Sequence, residues 1–307
     1  MMAFTVVPLH KLSLPKGANY SFGKFTIQDV PEWLLKNDIL DDLCAEERRG
    51  VKEARQALVS EYYAESYGHP DPEWQGKEPK GIQDLRWQSA LLANMCLWFI
   101  QPSPVFLTVG FHGFTEDLDT PFVQAISRES RLFCHERDRG NIITPVHLAK
   151  AAGLFEALSS VSRKNAVWAS LRAIWGALTS YQPDMSYPLF WQAMESLFGS
   201  DAEIFGVTKR LRDRISYFLA GNSADQKSLA EKIEACYAKR SDIVHGRWED
   251  SEEFHKVNVY DTECIVRTVI RQIADRPGML AKFLSPKRSD FLEAWVKSKS
   301  FTAPTLF

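Results

Sequence analysis

The chain has 307 residues with 37 Lys plus Arg against 39 Asp plus Glu, a formal net charge of −2. Hydrophobic residues make up 45% and charged residues 25%, ordinary globular usage that excludes wholesale disorder, collagen-like repeats and a disulfide scaffold. The length predicts two domains whose cores need neither disulfides nor metals for stability, and the near-zero charge argues against a protein coated along its length in nucleic acid.

In chain order, short β-like runs (FTVVPL, FGKFTI) occupy the first 30 residues. Residues 31–66 carry apolar residues at helical spacing among many charges, and YGHPDPEWQGKEPKG at 67–81 reads as a loop. A buried helix runs from there to Ile100, QPSP stops it, and VFLTVGFH at 105–112 suits a strand. HGFTED at 112–117 reads as a turn, and 113–145 as irregular, broken by Pro121, Gly140 and Pro145. From 145 the character changes: helical patterns follow at 146–161, 164–181, 187–198, 206–220, 224–245 and 259–275. The expectation is an α+β protein, with a mixed α/β domain over 1–145 and an all-α bundle over 146–307.

Five scattered cysteines without a C-x-x-C pair (Cys44, Cys96, Cys134, Cys236, Cys264) suit reduced, mostly buried thiols. The first residues, MMAFTVVPLHKLSLP, lack a signal-peptide pattern, and the longest apolar run, 91–100, is too short to cross a membrane. A cytoplasmic protein is expected. Charge is divided unevenly: 1–149 carry a net −5 and 150–307 a net +3, the excess being sharpest over 207–247. An anionic partner would therefore meet the second half, although a solvated helix face gives the same signal.

Within 224–245, Leu229, Ile233, Cys236, Arg240 and Val244 form one helical stripe, so Arg240 lies where an unpaired guanidinium is costly. Gly246, directly after His245, suits a left-handed helix end. On 207–219, Leu211, Ile215 and Phe218 face inward, and Lys209, Arg210, Arg212 and Arg214 form a basic flank available to a phosphate backbone. Trp87, Trp98, Trp168, Trp175 and Trp191 read as core, and Cys134, His135 and His147 lack metal-ligand or thiol-protease spacing.

Arg240-Ser-Asp-Ile-Val-His245 is an Arg, four residues, then a His. Chance alone yields about one Arg-x4–6-His match in a chain of this composition, and Arg128–His135 is a second. Context separates them, because only Arg240–His245 closes an amphipathic helix and precedes a glycine. The ordered segments LFWQAMESLFG (189–199), VTKRLRDRISYFLAG (207–221) and YAKRSDIVHG (237–246) resemble the Apea-like branch of the HEPN superfamily over roughly 150–285.

The resemblance implies a helical bundle that dimerises and brings two Arg–His motifs to a shared cleft. It also implies RNA cleavage without metal or cofactor, often in bacterial phage defence or toxin systems under a regulatory protein partner. His245 would be acid or base around the ribose 2′-hydroxyl and the leaving 5′-oxygen. Arg240 would stabilise the phosphoryl oxygens. Glu195 would orient either residue, Ser241 stands where nuclease members often carry Asn, Asp or His, and Tyr237 and Arg247 would touch substrate or equally pack at an interface. The alternatives left open are an Arg240 ion pair with Glu195 or Asp242 of purely structural meaning, and a non-catalytic module that binds a nucleotide, nucleic acid or protein.

Overall fold

The computed structural model describes residues 2–63, 79–115, 122–130, 138–162, 164–180, 182–199, 206–247, 251–276 and 278–298. The chain divides into two compact units, Met1–Ser159 and Ser160–Phe307, and is α+β, with a sheet in the first and helices throughout the second.

The first unit is built on six antiparallel strands: β1 (Met2–Leu9), β2 (Tyr20–Phe22), β3 (Phe25–Asp29), β4 (Gln56–Tyr63), β5 (Leu107–Thr115) and β6 (Phe122–Ser130), in the order β2-β3-β4-β1-β5-β6. β1 is central and buried from Ala3 to Leu9, so both faces of the sheet are covered. On one face Phe4, Val6, Ala57, Val59, Val109 and Phe111 pack with Leu34 of helix α1 (Glu32–Leu35), Leu40 of a 3-10 turn (Asp38–Asp42) and Val51 of α2 (Ala45–Glu53). The other face meets α3 (Pro79–Ile100) and α4 (Pro145–Ser159): a Cβ added to Gly110 would touch the Trp87 ring, and Phe155 packs on Phe22 and Phe25.

Four expectations for this half change. The helical reading of 31–66 ends at Ala54, the C-cap of α2, and 56–63 is a strand whose residues 56–60 are all buried between β1 and β3. Burial on both faces removed the two-residue alternation by which a strand is usually recognised. The expected turn at 112–117 continues β5 to Thr115, and the irregular stretch from 113 contains β6, which pairs with β5. Most of the expected loop at 67–81 lies outside the described residues. Helix α4 belongs to the sheet unit, so the division falls at 159/160, later than the change in sequence character at 145.

The second unit contains α5 (Ala166–Thr179), α6 (Pro183–Phe198), α7 (Val207–Leu219), α8 (Ser223–Val244), a π-helical turn (Phe254–Val259) leading into α9 (Tyr260–Asp275), α10 (Met279–Leu284) and α11 (Arg288–Ser298). Helix α6 lies at the centre, touching α5, α7, α8 and α9. Tyr187, Trp191, Ala193, Met194, Leu197 and Phe198 are all fully buried. It begins at Pro183, earlier than expected, because proline at the first helical position forfeits no intrahelical bond. Phe198, Phe218 and Phe283 form a three-way edge-to-face cluster at 5.5 Å, extended by Phe291 and Trp295 of α11. The helices α10 and α11 lie beyond the last helical pattern expected, 259–275. Trp87, Trp98 and Trp191 are core residues as expected, whereas Trp168 and Trp175 are only half-buried. Cys96 and Cys236 are buried, Cys264 half-buried and Cys44 exposed, all as free thiols.

Candidate functional site

Helix α8 carries the Arg–His motif and is held at both ends and in its middle. Asn222 caps its start by accepting from the amides of Ala224 and Asp225. Midway, Ile233, Cys236 and Tyr237 are buried. The Tyr187 hydroxyl of α6 donates to the Cys236 carbonyl at 2.8 Å and accepts from Thr262 of α9 at 3.3 Å. Burial pushes the Tyr187 phenol far up, so it remains a donor.

The helix ends as Gly246 predicts. His245 is the C-cap residue, and Gly246 adopts φ +68°. The Gly246 amide donates to the Ile243 carbonyl (3.0 Å) and the Arg247 amide to Asp242 (2.8 Å), the paired bonds of a Schellman motif. This cap leaves His245, Gly246 and Arg247 exposed. Val244, last on the expected apolar stripe, is also 52% exposed.

Arg240 lies five residues before His245, about 140° around the helix from it. Its side chain is 26% exposed, with Nη2 3.3 Å from Glu195 Oε1 of α6. The Tyr237 hydroxyl donates to that same oxygen at 2.7 Å. The Tyr237 ring centroid stands 5.6 Å from Arg240 Cζ and packs edge-on against Trp191 at 5.3 Å. Of the two carboxylates weighed as partners for Arg240, Glu195 holds it; Asp242 instead pairs with Arg247 at 3.5 Å across the cap. Ser241 is half-buried on the last turn. Among the described residues no hydrogen bond or ion pair links Arg240 to His245.

Tyr237 is only 8% exposed with its hydroxyl engaged, so it does not present the substrate contact expected of it. Burial, then the Glu195 carboxylate, push its phenol well above the usual range.

The basic flank of α7 divides. Lys209 is exposed and Arg210 half-buried. Arg212 bonds Asp213 (2.9 Å) and Glu234 (3.1 Å), and these acceptors raise its pKa. Arg214 contradicts the expectation of a solvent-facing contact: its side chain is 4% exposed. It donates to the carbonyls of Phe198 (2.7 Å) and Gly199 (3.2 Å) and to Ser289 Oγ (3.2 Å). Its spacing with Leu211, Ile215 and Phe218 placed it on the inner stripe, a signal masked by the run of basic neighbours. A guanidinium is buried there because the end of α6 offers unpaired carbonyls.

Elsewhere, His147 accepts from the Thr144 amide at the start of α4, and His112 meets Thr5 Oγ1 at 2.9 Å within the sheet. Cys134 and His135 lie outside the described residues. Among the described residues there is no cluster of three or more His, Cys, Asp or Glu able to hold a metal, and no helix long and apolar enough to cross a membrane. A groove of about 460 Å³ on the first unit is lined by Ala45, Arg48, Arg49, Lys52 and Glu53. Arg48 is held there by Asp41 and by the Asp41 and Leu43 carbonyls.

No protein-family model, curated protein or solved structure matches the chain.

Proposed function

We propose that the protein is a metal-independent endoribonuclease of HEPN type, acting through Arg240 and His245. The observation that carries this reading is an exposed histidine at a capped helix end, with a partly exposed arginine braced by a carboxylate five residues earlier. In the reaction, His245 takes the proton of a ribose 2′-hydroxyl, O2′ attacks the adjacent phosphorus, and the P–O5′ bond breaks as the 5′-oxygen gains a proton. Arg240 offers N–H donors to the phosphoryl oxygens as charge builds on them. A second imidazole is the natural acid. Because Arg240 and His245 do not share a helix face, the complete site is composed of two chains related by a two-fold axis.

DNA lacks the attacking hydroxyl and is not cut. Cytoplasmic location, a phage-defence or toxin setting and a regulatory partner belong to the same reading and rest on the resemblance in sequence. The test is cleavage of a single-stranded RNA by purified protein, with a matching DNA as control. His245→Ala is expected to lower the rate by about 10²–10⁴-fold; equal cleavage by both proteins removes His245 from the reaction.

A second reading, a non-catalytic RNA- or nucleotide-binding module, is favoured by one specific contact. Arg240 is already ion-paired with Glu195, so a phosphate must compete with a carboxylate. This reading expects RNA binding without turnover, and His245-dependent cleavage excludes it.

A further inference from the structure

We propose that Tyr237 is a positioning residue for Arg240, fixing its guanidinium through Glu195 and through its own ring so that Nη1 is the donor left to meet a phosphate. The inference rests on the ribonuclease reading for its purpose, but the positioning itself does not depend on turnover.

The geometry is a closed triangle across α6 and α8. One oxygen, Glu195 Oε1, accepts from the Tyr237 hydroxyl at 2.7 Å and forms an ion pair with Arg240 Nη2 at 3.3 Å. A carboxylate oxygen held by a short second donor loses the freedom to follow a wandering guanidinium. The third side is direct, since the Tyr237 ring lies 5.6 Å from Arg240 Cζ, within cation–π range. The ring is itself immobilised by Trp191, which is fully buried.

Within the guanidinium the nitrogens differ. Nη2 faces Glu195, and Nε is buried without a hydrogen-bond partner. Nη1 has no partner among the described residues, which leaves it as the remaining donor. A phenol raised by burial and by the Glu195 charge stays protonated through the neutral range, so the hydroxyl remains a donor wherever the enzyme works. Ordering an arginine in advance removes the rotamer entropy that it would otherwise lose on meeting the transition state.

The decisive variant is Tyr237→Phe, which keeps the ring and its packing on Trp191 and deletes only the hydroxyl. Two readouts are taken on full-length protein, with folding checked by circular dichroism. The first is steady-state RNA cleavage: kcat is expected to fall about tenfold with KM within about twofold of wild type. The second is the rate at which phenylglyoxal modifies Arg240, followed by peptide mass spectrometry, expected to rise about threefold or more as the guanidinium loosens. Glu195→Gln, which keeps an acceptor but removes the charge, is expected to move both in the same directions. It also supplies the measurement if the phenylalanine variant melts. Lys239→Ala, on the exposed side of the same helix, serves as the unchanged control.

Wild-type labelling of Arg240 in Tyr237→Phe overturns the proposal. So does a rise in KM at constant kcat, which would make Tyr237 a substrate contact instead. If wild-type protein cleaves no RNA, the ribonuclease reading fails, and the labelling rates still decide the positioning.

Discussion

Replacing Arg214 by Met separates the buried-anchor role of this residue from an RNA-contacting one. The substitution keeps the aliphatic stem of a side chain that is 4% exposed and removes the guanidinium, which donates to Phe198 O, Gly199 O and Ser289 Oγ. Phe198 is fully buried, so its carbonyl loses its charged donor with no direct access to water. A hydrogen bond to a charged group contributes roughly 1.5–3 kcal/mol, and an orphaned buried acceptor costs about 1–3 kcal/mol. The Glu293 contact is long, at 3.5 Å, and Glu293 is half exposed, so it adds little. Counting the two helix-end carbonyls, and setting the gain from no longer burying a charge against the Ser289 loss, the destabilisation is about 3 kcal/mol. For a unit of this size that lowers Tm by roughly 6–12 °C. Urea unfolding followed by circular dichroism at 222 nm, with thermal melts alongside, measures it. A loss below about 1 kcal/mol refutes the reasoning. An RNA contact at the surface would show the reverse pattern, unchanged stability with weakened RNA binding.

Gly246→Ala forces a side chain into φ +68° with no steric contact to add to the strain. It is expected to cost about 1 kcal/mol in thermal melts, and an unchanged Tm argues against the observed cap. Gly23→Ala combines φ +61° with a Cβ placed 2.4 Å from Phe155 Cε1, so a loss of about 2–4 kcal/mol is expected in urea titrations of the sheet unit. An unaffected midpoint would show that Phe155 does not pack on the β2–β3 turn.

Tyr187 and Tyr237 both have phenol pKa values raised in the folded state, first by burial. The unfolded chain therefore releases these protons first. The corresponding stability is complete below about pH 10 and declines as pH rises above it. Urea midpoints at about pH 8 and about pH 11 check this, and Tyr187→Phe with Tyr237→Phe should shrink the difference between them. An equal decline in the doubly substituted protein assigns alkaline sensitivity to other groups.

How far the site was legible in the sequence follows from what kind of information each residue required. The end of α8 was legible because a capped helix is local: six residues, SDIVHG, set the left-handed glycine and expose His245 without help from elsewhere. The identity of Arg240's partner was narrowed to Glu195 or Asp242 but not decided. Asp242 lies two residues along the chain, while Glu195 reaches Arg240 only when α6 packs along α8. Arg214 reads as a surface charge among its basic neighbours although its spacing joins the inner stripe, and the unpaired carbonyls at the end of α6 explain why a guanidinium is buried there. The strands β4 and β6 escaped because sheet pairing is non-local.

Sequence alone determined the α+β division, the helices from 145 to 275, the glycine-terminated end of α8 and the unequal charge of the two halves. These depend on short-range periodicity, capping and composition, which a single strand of residues carries in full. The tertiary structure decided where α4 belongs, which charges of the +3 half are buried or paired, and which oxygen Tyr237 and Arg240 share. Each of those depends on contacts between residues far apart in the chain. The basic excess that pointed toward an anionic partner is thereby reduced: Arg214 anchors the bundle, Arg212 is neutralised by Asp213 and Glu234, and Arg240 is braced against Glu195. Net charge counts residues, but solvation and pairing decide how much of that charge a phosphate can meet.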